Sequence, residues 1–301
     1  MNEETVPKNE NSEWKYFMEF LTGLETSQGG NSPAKRGIIT TYAGEKFFIK
    51  IGVDEATKIW AQKEITAYGF LKSLEYQHAP ALIAYNQEKT GFVIDALTAE
   101  DGWDWSNTWT KERLDSTLTA MDELAKLPLS ATQKQLFREG MGMDDSQNGW
   151  IQLQGSTERQ NYLISTFPQT EVREVLENLS KHFDTSLKHK LSLDTLVHHD
   201  VRADNCAWNK ETKQVKLVDW NWLQIGDKNL DRASFLVHVH QNGIDVNEAY
   251  SQLLQPQALH FIAGFWLYQA SRPIHSGGPE TLRPLQLQSA LTALKLREQI
   301  L

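Results

Sequence analysis

The chain has 301 residues, 40% of them hydrophobic and 23% charged, with a formal net charge of -9. That length accommodates one large domain or two lobes, and the balance is that of an ordinary globular protein. The negative charge argues against an electrostatic grip on nucleic acid or anionic lipid, and the single cysteine, Cys206, excludes an internal disulfide and a multi-cysteine zinc site.

The opening stretch MNEETVPKNENSEW has no apolar core, so no signal peptide is expected there, and residues 1–12 read as a disordered tail. No later apolar run approaches the roughly 20 residues of a membrane helix, so a cytoplasmic protein is expected. Residues 13–97 read as a small sheet-rich lobe. TSQGGNSPAKRG is dense in turn formers whose backbone can approach a ligand closely. GIITTYAGEKFFIKI reads as two strands about a turn at Ala43 and Gly44. In DEATKIWAQKEITAYGFLKSL, Ile59, Ala61, Ile65, Tyr68 and Leu71 recur near helical spacing. PALIAYNQ and TGFVIDAL supply two further strands.

Residues 98–301 have a different texture. EDGWDWSNTW is an acidic, tryptophan-rich connection, and KERLDSTLTAMDELAKLP is an amphipathic helix halted by Pro128. Segments 156–166, 171–187, 246–270 and 284–300 also read as helices. One strand-rich island, CAWNKETKQVKLVDW, turns at Lys210 to Thr212. The expected architecture is α+β and two-lobed: a small antiparallel sheet with one helix, then a larger, mainly helical lobe.

The chemistry gathers in HHDVRADN, which has the form H-x-D-x-x-x-x-N with His198, Asp200 and Asn205 at the defining positions. KLVDWNW follows and delivers Asp219 at the end of an apolar strand. Phosphoryl transfer uses such a set: one aspartate orients the attacking hydroxyl and accepts its proton, while an asparagine and a second aspartate hold Mg²⁺ on the nucleotide phosphates. Upstream, FFIKI places Lys50 on a strand, and Glu64 on the next helix is the carboxylate to fix it as a charge clamp. The loop with Gly29, Gly30 and Ser32 offers backbone N–H groups to phosphates, although it matches neither G-x-G-x-x-G nor a Walker loop.

Each residue alone has a plainer explanation. Lys50 would be an edge charge, Glu64 a surface partner of Lys63 or Lys72, and Asp219 a strand terminator. Trp103, Trp105 and Trp109 suit packing more often than stacking on a sugar or an ammonium. His198 and His199 are adjacent and point apart, which argues against a metal pair, and His238 and His240 are assigned no chemistry. The order of lysine strand, glutamate helix, H-x-D-x-x-x-x-N loop and D-W is what favours the functional reading.

In that order, residues 27 to about 235 resemble the aminoglycoside phosphotransferase and choline-kinase family of small-molecule kinases with a protein-kinase-like fold. FFIKI, HHDVRADN, LVDW and IGDKNLDRASF carry the likeness. The resemblance implies Asp200 as catalytic base, Asn205 and Asp219 as Mg²⁺ ligands, and Lys50 with Glu64 as phosphate clamp. It implies that His198 and Asp231 support the catalytic loop. The nucleobase is expected in an interlobe cleft, against the Ile94 to Leu97 connection, where Asp95 and Leu97 offer backbone hydrogen bonds. Two departures stand out: His199 replaces the usual glycine of H-G-D, and Asn221 stands where a glutamate is frequent.

The resulting expectation is an ATP-dependent transferase, with GTP as the alternative donor, acting on a hydroxyl of a small molecule. Glu100, Asp101, Asp104, Asp144 and Asp145 suit an amine-bearing acceptor such as an aminoglycoside, choline or amino sugar, or are simply solvated. No nucleic-acid or membrane partner is expected, and the sequence leaves the acceptor and the oligomeric state open. The competing reading is a catalytically silent nucleotide-binding pseudokinase or regulatory module. A protein kinase is disfavoured because no tyrosine-bearing activation segment or A-P-E motif follows VDW.

Overall fold

The computed structural model describes residues 10–26, 32–138, 148–188, 190–273 and 280–301. In chain order, the first strands are β1 (Glu25–Thr26), β2 (Lys35–Thr40), β3 (Lys46–Ile51), β4 (Leu82–Tyr85), β5 (Gly91–Asp95) and β6 (Trp103–Asp104). They are followed by β7 (Thr195–Val197), β8 (Cys206–Asn209), β9 (Gln214–Leu217) and β10 (Gln224–Gly226). Helices α1 (Glu10–Met18) and α2 (Glu55–Ser73) precede α3 (Lys111–Ala125), α4 (Ala131–Leu136), α5 (Gly149–Gln154) and α6 (Thr157–Thr166). The rest are α7 (Thr170–Glu177), α8 (Leu179–Ser186), α9 (Lys228–Gln241), α10 (Val246–Tyr250), α11 (Pro256–Ala270) and α12 (Leu282–Gln299).

These elements form two compact units, Met1–Ser106 with Asp204–Asn221, and Asn107–Ala203 with Trp222–Leu301. The first is built on a five-stranded antiparallel sheet in the order β1-β2-β3-β5-β4. Gly44 takes φ +83 in the turn between β2 and β3, a conformation open to glycine without steric cost. Ile39, Ile49, Ala84 and Val93 on one sheet face pack with Phe17 and Phe20 from α1 and the turn after it. The expected tail is therefore helical from Glu10, while residues 1–9 lie outside the described residues.

Helix α2 starts at a capping box. The Asp54 carboxylate accepts from the Thr57 N–H at 2.8 Å, and the Thr57 hydroxyl accepts from the Asp54 N–H at 3.0 Å. The β8–β9 hairpin, read from sequence as an island within the helical half, belongs to this first unit. Leu217 N–H donates to the His78 carbonyl at 2.7 Å, and the Lys216 ammonium donates to the Gln77 and Ala79 carbonyls at 2.5 and 3.2 Å.

Among the described residues, the second unit is helical apart from the antiparallel pair β7–β10, in which Val197 faces Gln224. Two expected long helices are divided. Segment 171–187 breaks at Asn178 between α7 and α8, and 246–270 breaks before Pro256, which opens α11 at its first turn where a missing N–H costs nothing. Helices α5 and α11 meet closely. The buried Trp150 indole donates to the His260 carbonyl at 2.7 Å, and its ring covers Gly264.

A Cβ added at Gly149 would lie 1.8 Å from the Gly264 carbonyl oxygen. Alanine improves helix propensity by about 1 kcal/mol, but the clash forces α5 off α11 and outweighs it. Gly149→Ala is expected to destabilise the protein by about 2 kcal/mol, a Tm lowered by roughly 3 °C in a thermal melt.

Candidate functional site

Strand alternation and register prepare one sheet face in two rows. Ile38, Phe48 and Ile94 stand opposite one another across β2, β3 and β5, and Arg36, Lys50 and Phe92 form the next row. Rows on one face are spaced by two residues, roughly 6–7 Å along the strand. Tyr68 from α2 packs on Phe92 with ring centroids 5.6 Å apart. Over these rows lies a cavity of about 540 Å³, lined entirely by residues of the first unit. Its wall includes Ile38, Phe48, Ile94, Leu97 and Val218 as well as Arg36, Lys50, Glu64, Asn205 and Asp219.

Lys50 is the electrostatic centre. Its ammonium lies 2.5 Å from Glu64 Oε1 and 2.8 Å from Asp219 Oδ1. Burial disfavours the ammonium, yet the carboxylates of Asp219 and Glu64 outweigh it and hold the lysine pKa above its ordinary value. Burial also pushes the Glu64 carboxyl up, against the pull of Lys50. Glu64 is 1% exposed and reaches Lys50 from the inner face of α2, so it is no surface partner of Lys63 or Lys72.

The hairpin brings Asn205 and Asp219 to the same wall. Val218 N–H donates to the Asn205 carbonyl at 3.0 Å, which joins the end of β9 to the start of β8. Asp219 has φ +65, a left-handed conformation uncommon for a residue with a Cβ. Trp220 fixes the chain beyond it, fully buried with its indole N–H on the Leu217 carbonyl at 2.8 Å. An amide and a carboxylate are hard oxygen donors, and Mg²⁺ completes its octahedron with water and phosphate instead of a full protein cage. Among the described residues no group of three histidine, cysteine or acidic side chains is placed to hold a metal, so the Asn205 and Asp219 pair fits only that shared mode.

Of HHDVRADN, His198 to Ala203 belong to the second unit, and Asp204 and Asn205 to the first. The buried Asp231 carboxylate accepts the N–H groups of His198 at 3.2 Å and His199 at 2.9 Å. The Asp200 N–H donates to His198 Nδ1 at 3.3 Å, and the Asp200 carboxylate pairs with Arg202 at 3.1 Å. Burial pushes the Asp231 carboxyl up to about 6, against the two N–H groups that favour its charge. At the loop's end, Ala203 is held on both sides: its N–H donates to His238 Nε2 at 3.1 Å, and its carbonyl accepts from the buried Arg113 guanidinium at 3.4 Å.

His199 takes φ +65 and is 6% exposed. The Gln224 amide nitrogen lies 2.6 Å from its Nε2, so the amide donates and the imidazole carries its proton on Nδ1, which finds no partner among the described residues. Gly226 makes room for the ring, since a Cβ there would sit 2.7 Å from Nε2.

Several expected residues stand elsewhere. Ser32 accepts the Arg36 guanidinium at its carbonyl, 3.1 Å, and does not itself line the cavity, while Gly29 and Gly30 lie outside the described residues. Asp95 and Leu97 both line the cavity, and the Leu97 carbonyl accepts the Trp105 indole N–H at 2.9 Å. Trp109 is buried, stacked by the Arg113 guanidinium at 4.4 Å, and serves packing. Glu100 pairs with Lys46, Asp101 accepts the Thr98 hydroxyl at 2.6 Å, and Asp104 accepts the Ser106 N–H at 2.8 Å, while Asp144 and Asp145 lie outside the described residues. Sequence reading passed over Arg36, Lys46 and Tyr68 in the cavity and His238 and Arg113 behind the loop. Arg36 was accessible from the pairing of β2 with β3, but no local signal marks His238 or Arg113.

Burial and the neighbouring His198 pull the His199 pKa down to about 3. A depressed histidine stabilises the fold above its unfolded value of about 6.5, and that contribution is lost as pH falls from there toward 3. His199→Asn, which tolerates a positive φ, is expected to show a shallower loss of stability than the parent between pH 6.5 and 4, measured by urea unfolding at a series of pH values.

No family model matches the sequence, and no curated protein does. Solved structures do. The choline kinase LicA from Streptococcus pneumoniae is 12% identical, with a TM-score of 0.57 over 94% of this chain and 99% of that one. An aminoglycoside phosphotransferase from Alicyclobacillus acidocaldarius is 10% identical, with a TM-score of 0.58 over 95% and 93%. The spectinomycin phosphotransferase APH(9)-Ia, solved with ADP and spectinomycin, is 12% identical, with a TM-score of 0.53 over 95% and 98%. The chain has the fold of the protein-kinase-like small-molecule kinases, in the form seen in choline kinases and aminoglycoside phosphotransferases.

Proposed function

We propose that the protein transfers the γ-phosphoryl group of ATP to a hydroxyl of a small molecule. The observation that carries this reading is the Lys50 ammonium held between Glu64 and Asp219 in a cavity with an apolar row beside it. A fixed cation with no freedom to reorganise is the arrangement that stabilises charge developing on phosphate oxygens. The apolar row of Ile38, Phe48 and Ile94 suits a nucleobase, and about 540 Å³ lies within the usual range of small-molecule sites.

In this reading Lys50 binds the nucleotide phosphates and Glu64 keeps it aimed. Asn205 and Asp219 hold Mg²⁺, which when bound neutralises charge on the transferring group. Asp200 orients the acceptor hydroxyl and takes its proton. The hydrogen bonds of Asp231 and His198 to the loop backbone support that assignment, because a base must be positioned before its pKa matters. Choline, ethanolamine and aminoglycosides name the acceptor class to try first, on the strength of what the structural neighbours act on.

The test is an acceptor screen with Mg²⁺ and ATP, read by ADP release, over aminoglycosides, choline, ethanolamine and amino sugars. The parent is expected to release ADP faster with at least one of them. Asp200→Asn should lower kcat by roughly 10²- to 10⁴-fold while nucleotide binding persists. Unchanged turnover in that variant would remove Asp200 from the role of base.

A further inference from the structure

The polar row of the cavity carries a second cation that the phosphate clamp leaves out. Arg36 stands directly across the β2–β3 ladder from Lys50. Residues opposite one another in an antiparallel pair share a face, with Cβ atoms about 4.5–5.5 Å apart. Both line the same cavity. The Arg36 guanidinium donates to the Ser32 carbonyl at 3.1 Å and to the Ser32 hydroxyl at 3.4 Å, which anchors the chain just before β2.

Charge favours a second cation here. Lys50 already faces two carboxylates, Glu64 and Asp219, and Lys46 faces Glu100. A polyphosphate carries several negative charges, so a second cation in the row of Lys50 adds to the attraction that the lysine supplies. A base seated on the Ile38–Phe48–Ile94 row directs its phosphates along the strands, and the next row holds Arg36 and Lys50 side by side. A guanidinium adds what an ammonium lacks, a planar fork that donates to two phosphate oxygens at once.

We propose that Arg36 is a second phosphate-binding residue of this cavity, acting beside Lys50 on the nucleotide polyphosphate. The proposal rests on the nucleotide reading of the site and extends it to a residue outside the lysine, metal and base set. Arg36 contributes in proportion to the number of phosphates, and adenosine is blind to it.

Calorimetric titration of ATP, ADP, AMP and adenosine, each with Mg²⁺, into the parent, Arg36→Gln and Arg36→Lys decides the matter. Arg36→Gln is expected to weaken ATP by roughly 10- to 100-fold, ADP less, and adenosine by no more than about twofold. Arg36→Lys keeps the charge and loses the fork, so it should recover part of the ATP affinity. Circular dichroism reports folding; if Arg36→Gln does not fold, Arg36→Lys must still weaken ATP and spare adenosine. Equal loss for all four ligands, or ATP affinity unchanged in the variants, overturns the role of Arg36. A parent that binds none of the four overturns the nucleotide reading itself, which separates the two failures.

Discussion

The contact between the Lys50 ammonium and the two carboxylates of Glu64 and Asp219 is the constraint on which the first unit's chemistry depends. It ties three parts of the chain together: a sheet strand, the helix after it, and the end of a hairpin more than a hundred residues later. Glu64 is the most deeply buried of the three and is tolerable there only because it is paired. Removing Lys50 would leave two carboxylates facing each other without their cation, a change that commonly costs about 3–5 kcal/mol. The same triad therefore supports the fold and lines the cavity.

The sheet supplies the rest by ordinary alternation. One face, carrying Ile39, Ile49 and Val93, closes on α1 and forms the core; the other carries the apolar and cationic rows of the cavity. Because side chains alternate with period two, a one-residue slip of β3 would send Lys50 into the core and Ile49 into the cavity. The core face thus protects the register of the functional face. In the second unit Asp231 plays a comparable part, since one buried carboxylate satisfies two successive N–H groups and so determines the shape of the loop before Asp200.

Much of this was legible in the chain. The strands around Lys50, helix α2 and the hairpin after Asn205 follow from periodicity and turn residues, and the order of Lys50, Glu64, Asp200, Asn205 and Asp219 pointed to phosphoryl transfer. The attachment of the hairpin to the first unit was not legible, because it rests on bonds from the Leu217 N–H and the Lys216 ammonium to the main-chain carbonyls of His78, Gln77 and Ala79, and nothing in the sequence marks a carbonyl as their acceptor. The same limit applies to His238 and Arg113, which matter through the backbone of Ala203. Helix α1 was missed because its first turn is as polar as a tail, and its apolar side becomes evident only against the sheet.

The pairing of His199 with Gly226 has a consequence for how this chain can change over generations. The imidazole fills the space that a side chain at position 226 would need. A larger residue at 226 would meet Val197 Cγ2 at 2.5 Å as well as the imidazole at 2.7 Å, so it is admissible only after both neighbours have given way, whereas a smaller residue at 199 can come first at the expense of a void. Order therefore matters in sequence space: position 199 can shrink with 226 unchanged, while a bulkier 226 stays closed until positions 197 and 199 have both made room.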